Sequence, residues 1–142
     1  MSDKHMTIEI VTPERVVFKD TIEALVLPGS QGYLGVLPDH APMVSALKAG
    51  VLKYKVAGNY RRIAVSGGFA EVSENRITVL ADTAERAEEI DVSRARASAE
   101  RARRRLKEKT DGVDVTRAEA SLHRAVARLR ATGEGHAHSH EV

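Results

Sequence analysis

The 142-residue sequence has no cysteine, which excludes a disulfide framework, a thiol nucleophile and a zinc–thiolate centre together. Apolar runs are short as well. None reaches the length of about 18 residues that reads as a bilayer-spanning helix, and the opening Met1 to Met6 lacks the apolar core of a signal peptide. A soluble chain, or one held at a membrane through a partner, is expected. Catalytic motifs are missing too: there is no Walker A sequence, no G-x-S-x-G elbow and no H-E-x-x-H. His40 is the only histidine between Thr7 and Arg117. It sits between Pro38 and Pro42 in what reads as a rigid turn, so its expected role is structural. Aromatic residues amount to only 4%.

Charge is plentiful and unevenly distributed. Residues 1–90 hold 10 Lys/Arg against 12 Asp/Glu, whereas residues 91–131 hold 12 against 6. The net charge of +2 therefore hides two regions with different tasks.

From Thr7 to about Ala81 the chain reads as short strands. Ile8 and Ile10 alternate with polar neighbours, as do Ile22, Ala24 and Val26, then Leu52, Tyr54 and Val56, then Ile77 and Val79, which is the pattern of half-buried strands. Turn chemistry falls at Pro28-Gly29-Ser30, Gly58-Asn59, Ser66-Gly67-Gly68 and Glu74-Asn75. Gly67 and Gly68 are expected to turn a hairpin between strands ending at Val65 and starting at Phe69, with Phe69 and Val72 in the core. Strands of this length and spacing predict a β-sandwich or barrel.

After Ile90 the pattern changes. No proline or glycine occurs between Ala81 and Asp111, and alanine, arginine and glutamate dominate, so helix is expected. Asp91 is the expected N-cap, and Gly112 the left-handed residue that closes the helix. A second helix starts near Asp114, or at Thr116 if Thr116 and Glu119 form a capping box, and runs to about Ala131 before Gly133. Val115, Ala118, Leu122, Ala125, Val126 and Leu129 share one face, answered by Ala95, Ala99, Ala102 and Leu106. These seams predict an antiparallel two-helix hairpin. The expected division is residues 1–84 as sandwich, 85–133 as connector and hairpin, and 134–142 as a disordered tail carrying His136, His138 and His140. No metal is assigned to that tail. An alanine-rich seam buries little apolar surface, too little to offset the ordering entropy strongly, so the hairpin needs another surface to lean on. With two such surfaces it can change position.

Three segments carry a family resemblance: GYLGVLPDHAPMV at Gly32 to Val44, AVSGGFAEV at Ala64 to Val72, and ITVLADTAERAEEID at Ile77 to Asp91. In the first, Gly32 and Gly35 permit tight turns, Leu34, Val36 and Leu37 offer apolar anchors, and Pro38 and Pro42 stiffen the connection. In this order and spacing the three resemble the epsilon subunit of F-type ATP synthases, from Thr7 to about Arg130. The resemblance implies a non-catalytic central-stalk subunit whose N-terminal sandwich contacts the gamma subunit and the ring of c subunits. It also implies a C-terminal hairpin that restrains ATP hydrolysis by meeting acidic segments of the catalytic alpha and beta subunits. Membrane association then comes only through the complex. With no transit peptide evident, the expected place is the cytoplasmic face of a bacterial cell membrane.

Bacterial members of that family can bind ATP on the folded hairpin through the pattern I/L-D-x-x-R-A, which stands here as Ile90-Asp91-Val92-Ser93-Arg94-Ala95. Other family site positions match Glu85, Arg101, Arg124 and Arg128. Helical geometry supports the grouping, because Arg94 and Arg101 are two turns apart on one face and Arg124 and Arg128 one turn apart on the other helix. Guanidinium forks suit phosphate oxygens. ATP is thus expected as a regulatory ligand, and no cofactor is required. The alternative is a basic helical module that binds nucleic acid or an acidic protein, suggested by a pI near 9.0 and the run Arg103 to Arg105. Both helices lack aromatic residues, so there is no stacking platform for bases, and nucleic acid is not expected as a partner.

Overall fold

The computed structural model describes residues 4–108 and 114–133. Among these, the strands are β1 (Met6–Val11), β2 (Val16–Ile22), β3 (Ala24–Gly29), β4 (Gly32–Val36), β5 (Met43–Ala46), β6 (Gly50–Val56), β7 (Asn59–Ser66), β8 (Phe69–Ser73), β9 (Arg76–Leu80) and β10 (Thr83–Arg86). A 3-10 turn at Ala87–Glu89 leads into the helices α1 (Val92–Glu108) and α2 (Val115–Thr132).

The strands form two five-stranded sheets, ordered β2-β1-β9-β8-β5 and β10-β7-β6-β3-β4. β1 runs parallel to β9; the other ladders are antiparallel. Ile8, Ile10, Ile77 and Val79 of the first sheet meet Leu25, Leu27, Leu52, Ile63 and Val65 of the second in one core. The β-sandwich followed by a helical hairpin is therefore the architecture, as the alternation of apolar residues predicts.

Several details differ from the sequence reading. Ile22, Ala24 and Val26 do not share a strand, because the chain changes sheets at Glu23: Ile22 ends β2, and in β3 the core positions are Leu25 and Leu27. Pro28 and Gly29 lie inside β3. Gly35 lies within β4, and of the expected anchors around it Val36 is buried whereas Leu37 is 62% exposed. Gly67 and Gly68 do not turn a hairpin, since β7 and β8 belong to different sheets. They turn the chain from one sheet to the other, and the reason for glycine is steric: at Gly68, with φ +91°, a Cβ would stand 1.8 Å from the Leu80 carbonyl oxygen. Phe69, the first residue after this corner, points outward and is 58% exposed, while Val72 is buried as expected.

Both described helix starts are capped by aspartate. Asp91 Oδ1 accepts from the Arg94 amide at 3.0 Å, and Asp114 Oδ1 from the Arg117 amide at 3.0 Å. Gly133 closes α2 at φ 93°. Gly112 and the histidine tail lie outside the described residues. Along the seam Ala95, Ala99, Ala102, Ala118 and Ala125 are buried, whereas Leu106, Leu122, Val126 and Leu129 are half-buried. Val115, in the first turn of α2, is exposed rather than part of the seam.

The hairpin lies against its own sandwich. α1 packs on α2, and α2 packs on β6 and β7, where Ala131 meets Val51 and Ala64, with Ile90 against the same cluster. A buried alanine methyl is worth only about 0.8 kcal/mol, so this docking is light.

Candidate functional site

Where β10 passes into the 3-10 turn and α1, three elements converge on one cavity. Its volume is about 230 Å³, and it is lined by Glu85, Glu89, Ile90, Asp91, Arg94, Ala95 and Arg128. Each element places its residues for a local reason. Glu85 pairs with Ala64 across the ladder between β10 and β7, which aims its side chain at the face on which α2 lies. Ile90 follows the 3-10 turn in extended geometry and is anchored against the apolar contact between α2 and the sandwich. Asp91 caps α1, so Arg94 and Ala95 occupy its first turn. Arg128 arrives from the last third of α2.

Arg128 Nε donates to Glu85 Oε1 at 2.6 Å, with both side chains a little over one third exposed or nearly so, at 39% and 34%. The contact spans 43 residues of sequence and ties helix to sheet. Glu89 folds back onto the turn, accepting from the Arg86 amide at 3.3 Å and lying 3.6 Å from Arg15 Nη2.

Of the eight positions singled out from the sequence, Glu85, Ile90, Asp91, Arg94, Ala95 and Arg128 line this cavity together. Arg124 borders an adjoining crevice with Ser66, Thr83, Glu85, Ala127 and Arg128, and its Nη2 donates to Ser121 Oγ at 3.2 Å. Arg101 is exposed on α1 and lines neither space. Two turns of helix displace it by about 10 Å from Arg94. Sequence reasoning missed Glu89, whose only signal was its place one residue before the motif. It also missed the Ser66 and Thr83 hydroxyls, 2.5 Å apart across two strands, which no local pattern could bring together.

Chemically, the cavity offers the guanidinium groups of Arg94 and Arg128, the carboxylates of Glu85, Glu89 and the helix-capping Asp91, and an apolar wall of Ile90 and Ala95. That set can hold an anion beside a planar or apolar group. Among the described residues no cluster of histidine and carboxylate side chains suits a metal ion.

Residues 5–87 match the family model described as ATP synthase, Delta/Epsilon chain, beta-sandwich domain, and residues 88–133 match that of its long alpha-helix domain. The chain belongs to the delta/epsilon family of F-type ATP synthase subunits. Among relatives, the ATP synthase epsilon chain of Desulforamulus reducens is 55% identical over 106 residues, covering 75% of this chain and 80% of that one. The ATP synthase epsilon chain of Symbiobacterium thermophilum is 56% identical over 105 residues, covering 73% and 76%. In the Euglena gracilis mitochondrial ATP synthase, solved as OSCP/F1/c-ring in rotational state 1, a chain of the same fold has a TM-score of 0.77 at 23% identity, covering 89% of this chain and 80% of that one.

Membership in the family accounts for the three motifs of the sequence and for the two-part build. Among the described residues no helix is long and apolar enough to cross a membrane.

Proposed function

We propose that this chain is a non-catalytic central-stalk subunit that couples rotation to the catalytic head and restrains ATP hydrolysis through its hairpin, with ATP as a regulatory ligand of the folded-down form. The observation that carries the ATP part is that Arg128 of α2 joins Glu85, Ile90, Asp91, Arg94 and Ala95 on one cavity with α2 lying on the sandwich. Lifting α2 takes Arg128 away from Arg94 and Asp91 and dismantles the site. A ligand that needs the assembled cavity therefore favours the compact form, by as much as its affinities for the two forms differ.

The triphosphate is assigned to Arg94 and Arg128, with Arg124 and Arg101 recruited from the flanks, because charge-assisted bonds to guanidinium forks are strong and directional. The base and ribose lie toward Ile90, Asp91 and Ala95. Glu85 holds Arg128 in place until the ligand arrives. In the extended form the exposed arginines of α1, from Arg103 to Arg105, meet acidic segments of the catalytic alpha and beta subunits, where complementarity gives register and salt sensitivity more than raw affinity.

For the stalk, the gamma subunit and the c ring are the proposed partners. With the second sheet partly covered by α2, the first sheet supplies the free surface. Val16, Val11, Leu80, Phe69 and Ala46 stand in register across all five of its strands, and Val16, Phe69 and Leu80 are each more than half exposed. A continuous apolar row of this kind marks an interface. The subunit then sits at the cytoplasmic face of the membrane, held there by the complex.

Equilibrium titration of ATP into the full chain tests the ligand. Binding by the wild type that weakens about tenfold or more in Arg94→Ala and Arg128→Ala supports the reading; equal binding by all three, or none by the wild type, overturns it.

A further inference from the structure

On the outer face of the second sheet, Lys53 of β6 and Arg62 of β7 stand directly opposite one another. Like charges in that register destabilise a ladder, and among the described residues neither forms an ion pair or a hydrogen bond through its side chain; Lys53 only lies over the Tyr60 ring, at 6.0 Å. A local conflict of this kind calls for a compensating group.

The course of α2 supplies one. Its Arg124 and Ala127 border Ser66 and Thr83 at one end of the sheet, and Ala131 lies on Val51 and Ala64. Lys53 is two residues beyond Val51, and Arg62 two residues beyond Ala64 in the opposite chain direction, so the pair forms the next outward-facing row, about 6.5–7 Å further on. The helix thus runs toward Lys53 and Arg62 and ends at Thr132, one residue past Ala131. A helix C-terminus carries partial negative charge on its unpaired carbonyls.

We propose that Lys53 and Arg62 form an electrostatic seat for the C-terminal end of α2, a latch that holds the hairpin compact without any ligand. The inference rests on the reading of the hairpin as a mobile element. Like-charge repulsion within the pair is offset only while the helix end is in place, so undocking uncovers the conflict and the compact form is favoured. Because the contact is electrostatic and partly exposed, it is strong enough to bias the hairpin and weak enough to release it.

Hydrogen exchange on the full chain tests this. In Lys53→Glu/Arg62→Glu the α2 amides around Ala125 to Leu129 should lose protection by about threefold to tenfold, the range of helix-end charge effects, with β1 and β9 unchanged. Lys53→Gln/Arg62→Gln, which keeps the fold without reversing charge, should give a smaller loss of the same kind. Lys19→Glu/Arg76→Glu on the other sheet, with the same change of net charge, should leave α2 as it was. Unchanged α2 protection in the Lys53 and Arg62 variants, or an equal loss in the Lys19 and Arg76 control, overturns the seat. Adding ATP to the wild type is a separate arm: failure to raise α2 protection counts against the nucleotide reading and leaves the latch standing.

Discussion

Arg128 of α2 and Glu85 of β10 meet at 2.6 Å, Nε to Oε1, and so join the end of the hairpin to the edge strand of the sandwich. The same arginine faces the motif Ile90 to Ala95 across the cavity. One side chain therefore serves both the docking of the hairpin and the candidate ligand site.

Arg128→Ala should cost more in ATP affinity than in stability. The pair with Glu85 is partly exposed, so its own worth is below about 1 kcal/mol. A bond between a guanidinium and a phosphate is worth about 1.5–3 kcal/mol. Calorimetry should show an affinity loss of roughly tenfold or more, and urea denaturation of the free chain a change near the limit of detection.

Gly68→Ala should be among the most damaging single substitutions in the sandwich. Its Cβ would collide with backbone of Leu80 and Ala81, and φ is +91°. At Gly58, also at positive φ, nothing lies within 4 Å, so Gly58→Ala carries the backbone strain alone. Denaturation should place Gly68→Ala more than about 1 kcal/mol below wild type, and below Gly58→Ala.

Tyr33→Phe should loosen one point of the second sheet. In β3 the Pro28 carbonyl accepts from the Lys48 amide, and the Val51 amide donates to the Tyr33 hydroxyl at 3.2 Å. Removing that acceptor leaves a partly buried donor unpaired, at a cost of about 1–3 kcal/mol. The Val51 amide should exchange faster than its neighbours Leu52 and Lys53.

Asp39 should titrate below an ordinary aspartate. The hydrogen bond from Lys4 lowers its pKa most, followed by that from Asn75. A carboxylate depressed in the folded state stabilises above its ordinary pKa, and that contribution is lost as pH falls through the lowered value. NMR titration should find the Asp39 pKa raised toward the ordinary value in Lys4→Gln, and raised less in Asn75→Ala.

The sandwich and hairpin were legible because alternation and helical spacing are local signals. What escaped were the places where the chain changes sheets. Alternation at Ile22, Ala24 and Val26 looks continuous, yet Glu23 is a corner, and at Gly67-Gly68 a crossing between sheets has the same glycine signature as a hairpin. Phe69 and Val72 were both expected in the core, yet three residues apart on β8 they face opposite sides, and Phe69 is the outward one. In the candidate site, Ile90, Asp91, Arg94 and Ala95 are neighbours in sequence and came as a motif. Glu85 and Arg128 reach it only through docking of α2, which spacing within each helix could not express, and Arg101 lies too far along α1 to line the same cavity.

The central claim is that ATP favours the compact hairpin. Because the chain has no cysteine, spin labels can be introduced uniquely at the exposed positions of Glu14→Cys and His123→Cys, and their separation measured in the assembled synthase with and without ATP. The account predicts that ATP collects the distance distribution into the short value of the compact form, and that Arg94→Ala abolishes this response. A distribution that ATP leaves unchanged in the wild type, or shifts to longer distance, would contradict it.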